Sequence, residues 1–232
     1  MPSPQSNTDS FADQLIADGI EPKPARIMAA GLHLFARQGY AGTSVRDIVD
    51  AADVTNPMLY YYFDNKQGLF TALLEHLFDS IAADVTQILE RPRSIDDTLD
   101  AIAAAYFEAC HDFPDALRFV YAVLYSPQQS RPDFALPDAY QTMLMAIQRR
   151  MEIAIDQGEL TPPDGFDATF LTERFMGLVD NQLMGAFSLI SRGQSWHPSR
   201  HELDDYIGPR ARAQLLDFFF AGAGLAATED SP

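Results

Sequence analysis

A hydroxyl, a carboxamide, a thioether, two phenols and an ammonium follow one another at Thr55, Asn56, Met58, Tyr60, Tyr61 and Lys66. Together they offer recognition chemistry rather than bond-breaking chemistry. A carboxamide pairs with adenine through two hydrogen bonds, and Met or Tyr can touch a thymine methyl. Tyrosine hydroxyls and a lysine ammonium hold phosphates. The groups that would argue for catalysis are scattered. Cys110 and His111 are adjacent but have no partner in sequence, and His197 and His201 stand four apart with Pro198 between them in a stretch that reads as loop. No phosphate-cradling glycine loop, dinucleotide fingerprint or G-x-S-x-G elbow occurs. No catalytic residue, metal or cofactor is expected, and the chain is not expected to be an enzyme.

The recognition residues need elements to aim them. Ser44 followed by Asp47 has the form of a capping box, so a helix starts near Thr43 or Ser44 and buries Val45, Ile48, Ala51 and Ala52. Asp53 and Val54 make a turn. Thr55 caps the next helix, and Pro57 is tolerated in its first turn because no internal N–H is lost there. Leu59 faces inward. Two helices of about eight residues around a short turn are the layout of a helix-turn-helix that lays its second helix in the major groove. The N–H groups opening the following helix, near Lys66, would bind phosphate. The spacing by itself also admits an ordinary helical hairpin with a tyrosine-rich edge.

Helical periodicity dominates the rest. Ile27, Ala30, Gly31, Leu34 and Phe35 mark a first helix that Gly39 closes, with Tyr40 as an apolar plug. Further helices are expected from about 66 to 90, across 99–110, 117–124 and 140–155, then 167–192 and 203–226, with Pro209 near the start of the last or kinking it. The expected fold is all-α with about nine helices: a flexible N-terminal tail (1–22), a three-helix helix-turn-helix domain (23–68) and a C-terminal helical domain for ligand binding and dimerisation (69–228).

The 232 residues are 47% apolar, enough for a packed core, and the single cysteine excludes an internal disulfide framework. No secretory leader is visible, and no apolar run approaches the ~20 residues of a membrane span. A cytoplasmic location is expected. The formal net charge of −17 is unusual for a nucleic-acid binder. It is unevenly spread, with five Lys/Arg against eight Asp/Glu in residues 1–70 and eleven against twenty-five in 71–232. From Glu21 to Phe70 the two signs are equal, at five each. The acidity therefore lies mostly outside the candidate reader, as a solubilising surface.

The run from Ala25 to Phe78 resembles the N-terminal domain of the TetR family of transcriptional regulators. The matching pieces are AA-x-x-LFA-x-x-GY, GTSVRDI and VTNPMLYYYF-x-NK-x-x-LF. The resemblance implies a homodimer with one reading head per subunit, a helical ligand-binding body, and an operator released when a small molecule binds. Thr43, Ser44 and Arg46 would then lie at phosphates or groove edges. Asn56, Pro57 and Met58 would lie nearest the bases, Tyr60 and Tyr61 would bracket the backbone, and Lys66 would anchor a phosphate. Two positions depart from the family pattern. Asp53 stands where many members have Gly, and Asp tolerates a left-handed backbone. Asn56 stands where many have a basic residue, which removes one phosphate contact per subunit.

The last two helices each carry an apolar stripe: Phe175, Leu178, Val179, Gln182, Leu183, Ala186 and Leu189 on one, Leu215, Phe218, Phe219 and Gly222 on the other. Pattern alone admits intramolecular core. The resemblance implies a four-helix dimer interface. A second stripe, Phe170, Arg174 and Asn181, is expected to face a ligand cavity closed by Tyr106, Phe107, Cys110, Phe119, Tyr121, Tyr125, Met143 and Ile147, although plain core packing accounts for each of these singly. The expected partners are an operator duplex, a small-molecule effector of unknown identity and a second copy of the chain, with no membrane. The alternative is an all-α small-molecule-binding protein or enzyme whose helix-turn-helix no longer reads DNA.

Overall fold

The computed structural model describes residues 4–125, 132–192 and 199–223, and every regular element among them is a helix. In chain order these are α1 (Pro4–Ala17), α2 (Pro22–Gly42), α3 (Val45–Ala51), α4 (Asn56–Phe63), α5 (Lys66–Leu89), α6 (Ile95–Asp112), α7 (Pro114–Tyr125), α8 (Asp138–Asp156), α9 (Ala168–Arg192), α10 (Arg200–Ile207) and α11 (Pro209–Ala223). The nine expected helices have become eleven for two reasons. Residues 4–17, expected as a mobile tail, are helical because Phe11, Ala12 and Leu15 fall on one face and are buried. The last expected helix is two, since Gly208 is extended and Pro209 starts a new helix. α10 opens on its own capping box, Ser199 with Glu202.

The chain forms two compact units, residues 1–77 with 113–135 and residues 78–112 with 136–232. The first therefore holds α7 as well as the head, which differs from the expected division at 68/69. Its centre is aromatic. Phe119 of α7 lies parallel to Phe35 of α2 at 5.9 Å and edge-on to Phe70 of α5 at 5.3 Å. Phe11 of α1 meets Phe113 edge-on at 5.3 Å. α2 runs regularly up to Gly39, whose φ of 71° breaks it where the sequence places a stop. Tyr40 then turns in against Phe70, ring centroids 5.2 Å apart. A charged joint also ties α2 to α7: Arg37 donates to His33 Nε2 at 3.2 Å, which leaves His33 Nδ1–H to donate to Asp115 at 2.8 Å.

In the second unit α9 packs through Phe175, Val179, Leu183 and Ala186, all buried, with Phe175 edge-on to Phe219 of α11 at 5.6 Å. Ile102, Ile147 and Met151 fill the centre. Arg150 ties α8 to the start of α6, donating to both Glu159 oxygens at 3.0 and 3.1 Å and to the Arg93 carbonyl at 2.9 Å.

Candidate nucleic-acid interface and the helical body

The reader is built by local chemistry. At the start of α3, the Ser44 hydroxyl accepts from the Asp47 N–H at 3.1 Å, and the Asp47 carboxylate accepts from the Ser44 hydroxyl and N–H at 2.7 and 2.9 Å. These hydrogen bonds hold the Asp47 carboxyl below the usual carboxylate range. At its end, Val54 N–H reaches the Val49 carbonyl at 3.0 Å across Asp53, whose φ is 51°. This is the Schellman arrangement, with Asp in the left-handed position that glycine usually takes. α4 is then anchored by Leu59, fully buried. Thr55, its N-cap residue, makes no side-chain capping bond. The Thr55 hydroxyl is thus available to an outside acceptor, whereas Pro57 has no N–H and the Met58 N–H donates to the Thr55 carbonyl at 2.9 Å. Thr55, Asn56, Pro57, Tyr60 and Tyr61 are exposed, Tyr61 to 80%, and Met58 is half-buried. The junction to α5 is tight. Asn65 Oδ1 accepts from Gly68 N–H at 3.0 Å, and a Cβ at Gly68 would run into the Phe63 carbonyl.

The structure gives other employment to several residues expected at the DNA. Thr43 is buried, with its hydroxyl donating to the Gly39 carbonyl at 2.9 Å, so its side chain faces the core and not a groove. The Ser44 hydroxyl serves the capping box. Lys66 Nζ donates to the carbonyls of Tyr40 and Thr43, both at 2.9 Å, and sits 4.0 Å from the centre of the Tyr40 ring. Arg46 is the outward cation of α3, its side chain 86% exposed and 3.6 Å from Asp50.

The residues expected to line one ligand cavity fall in three places. Phe119, Tyr121 and Tyr125 belong to the first unit, where Phe119 is core and Tyr121 lies parallel to Tyr125 at 5.6 Å. Phe107, Cys110, Met143 and Ile147 are buried inside the second unit, and the half-buried Tyr106 donates its hydroxyl to Met143 Sδ at 3.7 Å. Burial, with smaller contributions from Tyr140, Cys110 and Asp180, holds the Tyr106 hydroxyl well above the usual phenol range. Burial pushes the Cys110 thiol up to about 12, which makes it a packing group and not a nucleophile. Phe170, Arg174 and Asn181 point the other way. Arg174 and Phe170 line an open groove of about 400 Å³ between α9 and α11, together with Phe166, Gly177, Leu178 and Phe218. Asn181 is exposed.

The stripe of α9 expected at a dimer interface turns inward, and the stripe expected at a cavity turns outward. Of the residues expected at a dimer interface, Phe175, Val179, Leu183, Ala186, Leu215 and Phe219 are core within their own unit. Leu178, Gln182 and Leu189 are half-buried, Gly222 is exposed and Phe218 is 71% exposed. Sequence reasoning did not place Phe166 or Phe78 at either site. Phe166 lies four residues before Phe170, its ring 4.4 Å away, and that spacing was the available signal. Phe78 lies edge-on to Tyr140 at 5.1 Å, a contact between distant segments that no local pattern reports. His197 lies outside the described residues. Among the described residues no cluster of His, Cys, Asp and Glu could hold a metal ion, and no helix is long and apolar enough to cross a membrane.

Fold and site together define an all-helical protein that presents a helix-turn-helix at its N-terminal end. Residues 27–73 match the bacterial regulatory proteins of the tetR family. The chain is 33% identical over 76 residues to the HTH-type transcriptional repressor KstR2 of Rhodococcus jostii (strain RHA1), a match covering 33% of this chain and 37% of that one. It thus spans little more than a third of that curated relative. Over nearly the whole chain it is similar in fold to the Bacillus subtilis transcriptional regulator FadR in complex with stearoyl-CoA, with a TM-score of 0.65, 14% identity, and coverage of 85% of this chain and 97% of that one. It is likewise similar to the protein of the SmeT–triclosan complex, with a TM-score of 0.62, 20% identity, and coverage of 91% and 99%. Residues 27–73 thus carry the N-terminal domain of the tetR family, and over most of its length the chain shares the fold of solved structures that include a bacterial regulatory protein of the tetR family from Rhodococcus RHA1, with a TM-score of 0.64, 21% identity, and coverage of 90% of this chain and 100% of that one.

Proposed function

We propose that this chain is a ligand-responsive transcriptional regulator that binds a near-palindromic operator as a homodimer and is released by a small molecule. The observation that carries the reading is the outward face of α4. An uncapped helix start presents Thr55 and Asn56, and Tyr60 and Tyr61 stand beside them, while Leu59 fixes the helix from behind. Polar side chains reach base edges from such a helix, and the Thr55 hydroxyl and the phenols hold phosphates. Arg46 adds the outward cation. The second copy docks on the outer stripe of α9 and α11, where exposed Phe218 stands beside the groove lined by Phe170, Arg174 and Gly177. A two-fold axis there makes each Phe218 a knob for the partner's groove. A homodimer that reads a near-palindrome presents its two α4 helices one turn of DNA apart, ~34–36 Å.

The effector site is assigned to the helical body, and the complexes of the similar proteins with stearoyl-CoA and with triclosan support a small-molecule effector. In this chain, Tyr106, Met143 and Tyr140 bring two phenols and a thioether together among α6 and α8, a combination that suits a largely apolar ligand with one or two hydrogen-bonding groups. A cytoplasmic location and a lack of enzymatic activity follow from this role. The competing reading, a small-molecule-binding protein or enzyme whose helix-turn-helix no longer reads DNA, draws on the equal count of acids and bases from Glu21 to Phe70. A gel shift with the DNA upstream of the chain's own gene separates the two. Specific, salt-sensitive retardation is expected, and equal affinity for unrelated DNA would favour the competitor.

A further inference from the structure

Lys66 opens α5, where a cation opposes the positive end of the helix dipole. A solvated lysine there would swing into water. This one turns back across 26 positions to donate to the Tyr40 carbonyl, and across 23 to the Thr43 carbonyl, both at 2.9 Å. Those carbonyls lie past the Gly39 break, at the end of α2, where orphan acceptors attract a cation. Nζ also sits 4.0 Å from the centre of the Tyr40 ring, a cation–π contact. Desolvation lowers the lysine's affinity for its proton, so the position is held against a cost. The Tyr40 ring is itself wedged by Phe70 and Phe35, at 5.2 and 5.7 Å. Thr43 directly precedes the N-cap of α3, and Lys66 directly follows the turn that ends α4. One ammonium therefore joins the entry of the reader to its exit.

We propose that Lys66 is a positioning residue of the reader, which clamps the chain before α3 to the chain after α4 through Tyr40, and that it is not a phosphate anchor. The proposal rests on the DNA-reading role argued above. In this role Lys66 sets the angle at which α4 meets the groove, so its loss blurs the distinction between right and wrong sequence. A phosphate contact, by contrast, adds the same attraction to every sequence.

The test uses the full chain, Lys66→Met, Tyr40→Leu and the double variant. Fluorescence anisotropy is read against the tightest duplex that the wild-type chain selects from a random-sequence pool, against random duplex, and across salt. Urea unfolding is read in parallel. Lys66→Met is expected to weaken the selected duplex about tenfold, while random-duplex affinity and the salt slope stay at wild-type values. Tyr40→Leu should reproduce this, and the double variant should be little worse than either single one, because the two residues act as a unit. Equal losses on both duplexes, with a salt slope lower by ~0.9 per lost contact and intact binding by Tyr40→Leu, would overturn the proposal in favour of a phosphate anchor. Lower unfolding midpoints with both affinities unchanged would overturn it in favour of plain structural support. A wild-type chain that prefers no duplex defeats the regulatory reading itself. The urea cycle then judges the clamp alone, with additive losses refuting it and non-additive losses upholding it.

Discussion

Asn56 is the side chain on which sequence discrimination should most depend. It is exposed at the start of α4 beside a hydroxyl that serves no cap. Asn56→Ala is expected to reduce the operator-to-random affinity ratio by about 1–3 kcal/mol, the value of one bidentate base contact, with little change on random DNA. A competition titration with both duplexes measures this, and parallel losses on the two would remove Asn56 from base reading. Asp47 makes a prediction about pH. Hydrogen bonds from Ser44 depress its folded pKa, so the stability it contributes is complete above the ordinary carboxylate range and disappears as pH falls through the depressed value. Asp47→Asn should therefore flatten the acid side of the stability profile in thermal melts taken from neutral pH downward. An unchanged acid limb would show that the capping box adds no pH dependence. Asp47, Gly39 and Asp53 were legible in the sequence because their partners lie within five positions. Lys66 was not, since what holds it in place lies more than twenty positions away; Thr43 was misassigned although its partner, the Gly39 carbonyl, lies only four positions away.

At the scale of elements, helix existence was legible and helix assignment to faces was not. Periodicity located α2 to α9 closely, because an apolar stripe at 3–4 spacing needs no knowledge of its partner. It could not say which of two apolar stripes on α9 turns inward. The choice depends on α11, whose Phe219 meets Phe175 and not Phe170. α1 was missed for a related reason: its three-residue stripe is short and becomes persuasive only when Phe113 closes against Phe11. α7 is the element whose membership changed most. It packs with α2 through Phe119 and through the Arg37–His33–Asp115 chain of hydrogen bonds. Phe119→Ala should cost about 3–5 kcal/mol of stability, read by urea unfolding of the full chain. A loss below about 1 kcal/mol, the size expected of a surface substitution, would mean that Phe119 lines a site and does not fill a core.

For the whole molecule, a nearly neutral candidate reading head and an acidic body share one chain, and in the proposed function two copies act together. Composition made the imbalance of charge plain, but nothing in it reveals how a head with few cations holds DNA. The structure leaves Arg46 outward and turns Lys66 inward, so in the proposed reading affinity falls to the Thr55 hydroxyl, the phenols and the proposed pairing of two heads. Phe218 carries that pairing in the account. Phe218→Asp should convert a dimer to a monomer in sedimentation without lowering the unfolding midpoint of the subunit, since the ring is 71% exposed. A variant that remains dimeric would move the interface elsewhere. The central claim is that two α4 helices read one operator together, and nuclease footprinting of the DNA upstream of the chain's own gene tests it most directly. The account predicts a protected near-palindrome whose half-sites are one helical turn apart, about 10 base pairs, and which Phe218→Asp abolishes. A footprint of a single half-site unaffected by Phe218→Asp, or no footprint at concentrations that retard random DNA, would contradict it.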